Sequence, residues 1–183
     1  MSYDIKEVLF HYTTGNVFKR ILKQESIIPD RSEPNNDGEI ATVTFSSNPI
    51  WENSRYRVGK LPTGKLVLMS KELLRKFDGG LYRIVVPKTV APLDWVDMKD
   101  KCGMSRDCIR AIYDFGIEVG ARTSQWFGTL ESVPENVWIT VEKLNDKDEW
   151  VELTEDDIPE PSDEDAPLVE IPEDAIIGDE KSL

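Results

Sequence analysis

Short apolar and alternating runs along the chain predict a series of β-strands. The run Val8-Leu9-Phe10, within 5–12, is too continuously apolar for a solvent-facing edge, so this strand is expected near the centre of a sheet. The run 41–47, ATVTFSS, alternates and is β-branched, which is typical of a strand. The predicted strands are 5–12, 41–47, 65–69, 81–87, 137–144 and 149–153, and the turn NDKD joins the last two as a hairpin.

Other segments carry the spacing of helices. Residues 15–25 place apolar side chains at i, i+1, i+4 and i+5, which is one face of a helix, and Thr14 suits its N-cap. A shorter helix is predicted over 70–77, with Ser70 as its N-cap. A third covers 105–119, where Gly120 is expected to stop it. About five to seven strands with two or three helices predict an α+β domain of mixed or antiparallel sheets.

The acidic residues are concentrated at the C-terminus. The 183-residue chain has a formal charge of −13, and residues 154–183 contribute twelve Asp or Glu and one Lys, a net of −11. Residues 1–153 are therefore predicted to form one globular domain that is nearly neutral. Residues 154–183 form an acidic, proline-containing tail that is either disordered or strapped onto the body. Its short apolar patches, 168–171 and 175–177, are candidate docking points on the body or on a partner.

Several function classes lack support in the sequence. The nucleotide motifs GxGxxG and GxxxxGK[ST] are absent, and no basic stripe favours direct nucleic-acid binding. Cys102 and Cys108 with the single histidine, His11, do not supply a zinc site and fit reduced thiols of a cytoplasmic protein. No apolar stretch reaches 18 residues, so no membrane span is predicted.

Three stretches place polar groups beside aromatic side chains at or near predicted strands, which is the composition of a small-molecule pocket. They are LFHYTT (9–14), TFSSNPIWENS (44–54) and GARTSQWFGTLESVPENVW (120–138). The candidate binding residues in these stretches are His11, Tyr12, Thr13, Ser46, Ser47, Trp51, Gln125 and Trp126. A carboxylate among such groups would stabilise an oxocarbenium-like centre at a glycosidic bond.

These stretches in this order resemble the ADP-ribosyltransferase superfamily, and most closely its histidine-tyrosine-glutamate branch. The resemblance spans roughly 5–153 and implies that His11 hydrogen-bonds a ribose of NAD, while Ser46 ends the strand that begins the nicotinamide pocket. It implies NAD as substrate and a late glutamate as the catalytic residue. The stretches HYTT, FSSNPIWE and W-x4-E-S-V-P are also similar to a group of uncharacterised bacterial and phage proteins.

The resemblance leaves some assignments open. The family's second motif contains a tyrosine, and two residues are candidates for it. Tyr56, which the resemblance adds to the candidate binding residues, is the nearest tyrosine downstream, and Tyr12 lies beside His11. Glu131 is chosen as the catalytic residue over three other glutamates, Glu118, Glu135 and Glu142. His11 is expected to position the ligand and not to act as a general base, because no orienting acid or nucleophile lies nearby in sequence.

Two function classes follow. The first is an NAD-dependent ADP-ribosyltransferase or NAD-cleaving enzyme whose acceptor the sequence does not specify. The second is a non-enzymatic binding or inhibitor protein, in which an ADP-ribosyltransferase-like scaffold presents the acidic tail to a partner with a basic surface. A further possibility is that the tail folds over the pocket and inhibits it.

Overall fold

The structure is a computed structural model, and it describes residues 3–29, 39–162, 168–172 and 175. It is a mixed α+β fold with antiparallel pairing throughout its largest sheet. In chain order the elements are β1 (Val8–Thr14), α1 (Gly15–Gln24), β2 (Ser26–Ile27), β3 (Val43–Ser46), β4 (Val58–Lys60), β5 (Leu66–Leu68), α2 (Lys71–Phe77), β6 (Leu81–Pro87), β7 (Leu93–Asp94), α3 (Trp95–Lys101), α4 (Arg106–Glu118), β8 (Trp126–Thr129), β9 (Val133–Pro134), β10 (Thr140–Leu144), β11 (Trp150–Glu152) and β12 (Val169–Glu170).

The main sheet has seven strands in the order β11-β10-β6-β1-β3-β8-β7, and every neighbouring pair is antiparallel. The continuously apolar β1 is its central strand, as predicted, and all seven of its residues are buried. It pairs with β6 along its whole length, from Val8 opposite Pro87 to Thr14 opposite Leu81. The predicted hairpin of β10 and β11 is confirmed.

On its other side β1 pairs with β3 at one position, Phe10 opposite Ser46. Both strands continue beyond this pair, β1 to Thr14 and β3 back to Val43, but without further pairing to each other. The two strands therefore separate at this end, and the space between them forms part of a cleft.

The faces of the sheet bury different helices because side chains alternate along β1. Leu9 packs with Phe18 and Ile21 of α1, and Phe18 stacks on Tyr82 with ring centroids 4.8 Å apart. On the opposite face, Phe10 and Tyr12 belong to a cluster that includes buried side chains of α2 and of the β4–β5 hairpin.

Helices α1, α2 and α4 confirm the predictions over 15–25, 70–77 and 105–119. Ser70 caps α2, since its Oγ accepts a hydrogen bond from the Leu73 amide. Thr14 stands at the N-cap position of α1, as predicted, but its side chain makes no capping hydrogen bond. Gly120 follows α4 with φ +72°, the conformation expected of a residue that stops a helix.

The predicted number of elements was too low, because the described residues contain four α-helices and twelve strands. Helix α3 was missed because it has seven residues and little periodicity; it depends on Asp94, whose side chain accepts from the amides of Val96 and Asp97. Several missed strands have only two or three residues, too few for an alternating pattern to show in the sequence.

Part of the acidic tail packs against the body. Strand β12 pairs in parallel with β4 and extends the β4–β5 hairpin to three strands. Val169 and Ile171 are buried, whereas Asp156, Asp157 and Glu160 are exposed. In the second predicted docking patch, 175–177, Ile176 and Ile177 lie outside the described residues. No helix in the described part of the chain is long and apolar enough to cross a membrane.

Candidate functional site

A cleft of about 1200 Å³ opens where β1 and β3 separate. One wall comes from the end of β1, and a second comes from residues 40–44, leading into and along β3. Helix α1 forms a third, and the loop that follows β3 contributes residues between 51 and 57. The remaining lining residues include Leu74, Leu130 and Ser132.

His11 lies on the β1 wall, and its side chain reaches across to β3. Its Nδ1 is 2.9 Å from the carbonyl oxygen of Thr44, and its ring meets Phe45 edge-on with centroids 5.6 Å apart. A carbonyl oxygen only accepts hydrogen bonds, so Nδ1 carries the proton and Nε2 is the unprotonated acceptor. No described residue hydrogen-bonds Nε2, which leaves this nitrogen for a ligand hydroxyl.

His11 is neutral at physiological pH. Burial lowers the pKa of His11 from 6.5 to about 3, with a further lowering by the nearby Arg55 guanidinium and an opposing effect of the hydrogen bond to Thr44. A neutral imidazole with a fixed tautomer suits a hydrogen-bonding and positioning role. A group with this pKa is a poor general base near neutral pH.

Arg55 lies beside His11 and uses the same anchor. Its Nη2 donates to the Thr44 carbonyl oxygen at 3.0 Å and also to the Thr44 hydroxyl. Thr44 lies on the part of β3 that does not pair with β1. Its carbonyl oxygen is therefore hydrogen-bonded by the side chains of His11 and Arg55. The separation of the strands thus fixes two polar groups at one point of the cleft.

Arg57, which also lines the cleft, is held by a buried carboxylate. Its Nη1 lies 2.8 and 2.7 Å from the two oxygens of Asp78, whose side chain is fully buried. Asn16 donates from Nδ2 to the same carboxylate at 2.9 Å. This network fixes the Arg57 side chain against the start of α1.

The N-terminus of α1 is occupied by protein groups. The amides of Gly15 and Asn16 donate to the carbonyl oxygens of Gly80 and Asp78, at 3.0 and 3.3 Å. A Cβ at Gly15 would lie 2.1 Å from the Gly79 carbonyl oxygen, so this close approach requires glycine. An anion in the cleft would therefore be met by arginine side chains and not by these helix amides.

The charge of the cleft contrasts with that of the chain. Arg20, Arg55 and Arg57 line it, and none of its described lining residues is Asp or Glu, although the chain carries −13. Guanidinium groups bind phosphate and carboxylate oxygens with directed, charge-assisted hydrogen bonds. The lining residues that the structure describes thus include three guanidinium groups, of which Arg57 is paired with the buried Asp78.

Aromatic side chains supply flat apolar surface in the same cleft. Tyr12 and Trp51 meet edge-on with centroids 5.2 Å apart, and the Tyr12 hydroxyl donates to the Asn48 carbonyl oxygen. Burial raises the pKa of Tyr12, so its hydroxyl stays protonated. Tyr56 packs on Phe115 of α4 at 4.4 Å and is partly exposed. Tyr12 is 2% and Trp51 8% exposed, so Tyr56, at 47%, is the ring of these three that presents surface on which a planar group could stack.

The structure brings together five of the nine residues predicted to bind a ligand and places the other four elsewhere. His11, Tyr12, Thr13, Trp51 and Tyr56 line the cleft. Ser46, Ser47, Gln125 and Trp126 are not among its lining residues.

Ser46 is buried and has a local hydrogen-bonding role. Its Oγ donates to Glu52 Oε2 at 2.6 Å and accepts from the Asn48 amide at 3.1 Å. The buried Glu52 carboxylate also accepts from the amide and hydroxyl of Ser54. Together these bonds shape the loop that carries Trp51 and Arg55 into the cleft.

The remaining three predicted binding residues lie on or beside β8. Ser47 donates its amide to the Gln125 carbonyl oxygen at 2.8 Å. Trp126 is buried in a third cluster with Leu93, Met98 and Cys102, where it meets Trp95 edge-on at 5.2 Å. Its Nε1 has no hydrogen-bond partner among the described residues.

Glu131, the predicted catalytic residue, is exposed and is not among the residues that line the cleft. Its neighbours Leu130 and Ser132 do line it, so Glu131 stands at the margin. Of the alternatives, Glu142 is buried in an ion pair with Arg83 and accepts from the Tyr3 hydroxyl, while Glu118 and Glu135 are exposed.

Sequence reasoning missed the cationic groups of the cleft and one further residue. Arg20 lies on the predicted helix, and Arg55 and Arg57 lie in NSRYR, a segment with no periodicity to indicate where its side chains point. Thr14 was assigned to capping, but it lines the cleft, and its buried Oγ1 has no hydrogen-bond partner among the described residues. The available signal in the sequence was Arg55 and Arg57, two residues apart, directly after a segment that contains Ser46, Ser47 and Ser54.

No described group of three or more His, Cys, Asp or Glu side chains has the arrangement of a metal site. Cys102 and Cys108 are free thiols, and burial raises the pKa of both.

Comparisons with known proteins found no relative of this chain. No family model matches it, and no curated protein or solved structure matches it either. The chemistry of the cleft is therefore the basis for assigning a function.

Proposed function

We propose that the cleft binds NAD and that the protein is an ADP-ribosyltransferase or an NAD-cleaving enzyme. The observation that carries this proposal is that Arg20, Arg55 and Arg57 line the same cleft as a neutral His11, with no carboxylate among the described lining residues. NAD combines a pyrophosphate, two riboses and two flat rings. The cleft offers a matching group for each of these parts.

The arginines would meet the pyrophosphate, since guanidinium groups pair with phosphate oxygens in a fixed geometry. His11 Nε2 would accept a hydrogen bond from a ribose hydroxyl, because Nδ1 already donates to the Thr44 carbonyl oxygen. Tyr56, whose side chain is exposed, would cover one of the rings, with Tyr12 and Trp51 packed behind it as part of the apolar core. A volume of about 1200 Å³ suits a ligand larger than the usual small molecule.

Catalysis would break the bond between the nicotinamide nitrogen and C1′ of its ribose. The bonding electrons leave with nicotinamide, the ribose passes through an oxocarbenium-like centre, and an acceptor oxygen or nitrogen attacks C1′ and loses its proton. Glu131, at the margin of the cleft, would stabilise that centre or orient the acceptor. Binding by the arginine-lined cleft and catalysis by Glu131 are separate parts of the proposal and fail separately.

Incubation of the full chain with labelled NAD tests the enzymatic part. We expect release of nicotinamide, with label transferred to water or to a protein or nucleic-acid acceptor, and loss of both in Glu131→Gln. Calorimetric titration with NAD tests binding independently. If NAD neither binds nor is consumed across a broad set of acceptors, the proposed function is wrong.

A second candidate is a non-enzymatic binding protein, which is supported by the orientation of the tail. Its buried residues Val169 and Ile171 anchor it, while Asp156, Asp157, Glu160 and Glu170 are exposed. Such a segment would present carboxylates to a basic protein surface. Replacing these four carboxylates by amides in the full chain should abolish salt-sensitive binding to a basic partner and leave NAD binding unchanged.

A further inference from the structure

The acidic tail contains a strand, β12, that pairs with the body of the protein. Val169 of β12 stands opposite Gly59 of β4, and the Ile171 amide donates to the Lys60 carbonyl oxygen at 2.9 Å. Ile171 is 1% exposed and Val169 is 6% exposed, which makes both part of the core. Both belong to the same buried cluster as Trp51 and Leu74, two side chains that line the cleft.

Gly59 and Ile171 fit each other closely. A Cβ at position 59 would lie 2.3 Å from Cδ1 and 2.9 Å from Cγ1 of Ile171, and 3.1 Å from Cγ of Met69. A glycine in a strand interior marks a close approach of another chain segment. Here the segment is the tail, and the absence of a side chain at Gly59 creates the space that Ile171 occupies.

The strand that the tail covers begins directly after a cleft arginine. Arg57 immediately precedes β4, and its carbonyl oxygen accepts from the Met69 amide at 2.9 Å. Strands β4 and β5 have three residues each, and an isolated two-stranded hairpin of this kind is marginally stable in water. The third strand, β12, therefore supports the part of the chain from which Arg57 extends.

We propose that Ile171 of the acidic tail is a positioning residue for Arg57, acting through Gly59 and β4. The tail then serves to hold one arginine of the anion-binding cleft in place, in addition to presenting charge. This proposal rests on the proposed function where it concerns NAD. Its structural part, the support of β4 by the tail, is independent of the ligand.

The test uses full-length variants and compares two arginine backgrounds. Ile171→Ala should weaken NAD binding about fivefold, the lower end of typical coupling between separate sites. The same change in an Arg57→Gln background should have no further effect, because the residue through which Ile171 acts is absent. In an Arg55→Gln background the fivefold effect should persist, since Arg55 is anchored on Thr44 and not on β4.

Gly59→Ala supplies a second variant in case Ile171→Ala alters folding. Its methyl group would displace Ile171, so NAD binding should weaken, and Gly59→Ala/Ile171→Ala should restore part of the loss because the methyl then fills the space. Equal losses from Ile171→Ala in the Arg57→Gln and Arg55→Gln backgrounds would overturn the positioning role. So would a double variant whose loss is the sum of the single ones.

Amide hydrogen exchange separates this proposal from the assignment of NAD as ligand. The Met69 amide, bonded to Arg57, should exchange faster in Ile171→Ala, while the amides of β6 keep their protection. If wild-type protein does not bind NAD but Met69 responds, the ligand assignment fails and the support by the tail stands. An unchanged Met69 amide would overturn the support itself.

Discussion

His11 and Arg55 hydrogen-bond the same carbonyl oxygen, that of Thr44, with His11 Nδ1 at 2.9 Å and Arg55 Nη2 at 3.0 Å. This shared acceptor exists because β3 leaves β1 after the pair of Phe10 and Ser46. It fixes the tautomer of His11 and places a positive charge beside it, which together with burial keeps the imidazole neutral. The arrangement of the cleft can therefore be tested through either residue.

The pKa of His11 predicts how stability depends on pH. The folded pKa is about 3 and the unfolded value is 6.5, so between these values only the unfolded state binds the proton. The contribution of His11 to the free energy of unfolding is thus fully retained above pH 6.5. It falls by about 1.4 kcal/mol for each pH unit below that value, until the pH approaches 3. His11→Gln should have a shallower acid slope in urea unfolding between pH 4 and 7, and an equally steep slope would contradict a buried neutral histidine.

Removing the Arg55 guanidinium should weaken ligand binding. We expect Arg55→Gln to raise the Kd for NAD about ten- to a hundredfold, since a charge-assisted hydrogen bond contributes about 1.5–3 kcal/mol. The affinity of the wild type should also fall with added salt more steeply than that of the variant. Arg110→Gln is the matched control, because Arg110 is exposed on α4 and pairs only weakly with Asp114. Similar losses in both variants would show that the effect is not local.

Glu131→Gln should separate binding from catalysis. The side chain lies outside the cleft lining, so NAD affinity should change less than about threefold, a shift below 1 kcal/mol. Nicotinamide release should fall by at least a hundredfold if the carboxylate stabilises the developing positive charge, as for other electrostatic groups. Glu135→Gln, an exposed glutamate on the same segment, is the control. Turnover that survives in Glu131→Gln would assign catalysis to another residue.

Ser46→Ala should destabilise the fold even though Ser46 does not line the cleft. The substitution leaves the buried Glu52 carboxylate without its 2.6 Å donor, at a cost of about 1–3 kcal/mol in the free energy of unfolding. The double variant Ser46→Ala/Glu52→Gln should recover part of that loss, because the amide removes the buried charge. Chemical denaturation measures both, and an unchanged midpoint for Ser46→Ala would argue that the Ser46–Glu52 bond adds nothing to stability.

Asp78 should matter more to stability than any surface acid. Asp78→Ala leaves Arg57 and Asn16 without their shared acceptor, and removal of one partner from a buried pair costs about 3 kcal/mol. The free energy of unfolding at neutral pH should fall by this amount, and NAD affinity should fall with it as Arg57 loses its anchor. Asp114→Ala, at an exposed position on α4, should change neither quantity. Equal stability of the two variants would refute a structural role for the Arg57–Asp78 pair.

Much of the fold was determined by the sequence itself. Continuous apolarity placed β1 at the centre of the sheet, alternation predicted β3 and the β10–β11 hairpin, and helical spacing with Ser70 and Gly120 set the limits of helices. These features depend on local periodicity and on burial of one or both faces, which a sequence records directly. The sequence also singled out His11, Tyr12, Thr13, Trp51 and Tyr56, which the fold brings into one cleft.

What only the tertiary structure decided is where the cleft lies and which charges face it. The separation of β1 from β3 depends on contacts between residues far apart in sequence, such as His11 and Thr44 with a sequence separation of 33, and no local pattern records it. Arg55 and Arg57 lie in an irregular loop, so their direction is set by Thr44 and Asp78, which are distant in the chain. Ser46 lies on β3 and Trp126 on β8, but both side chains are buried in the core and neither lines the cleft. Local periodicity determines which residues are buried, and long-range pairing determines which of the polar residues meet.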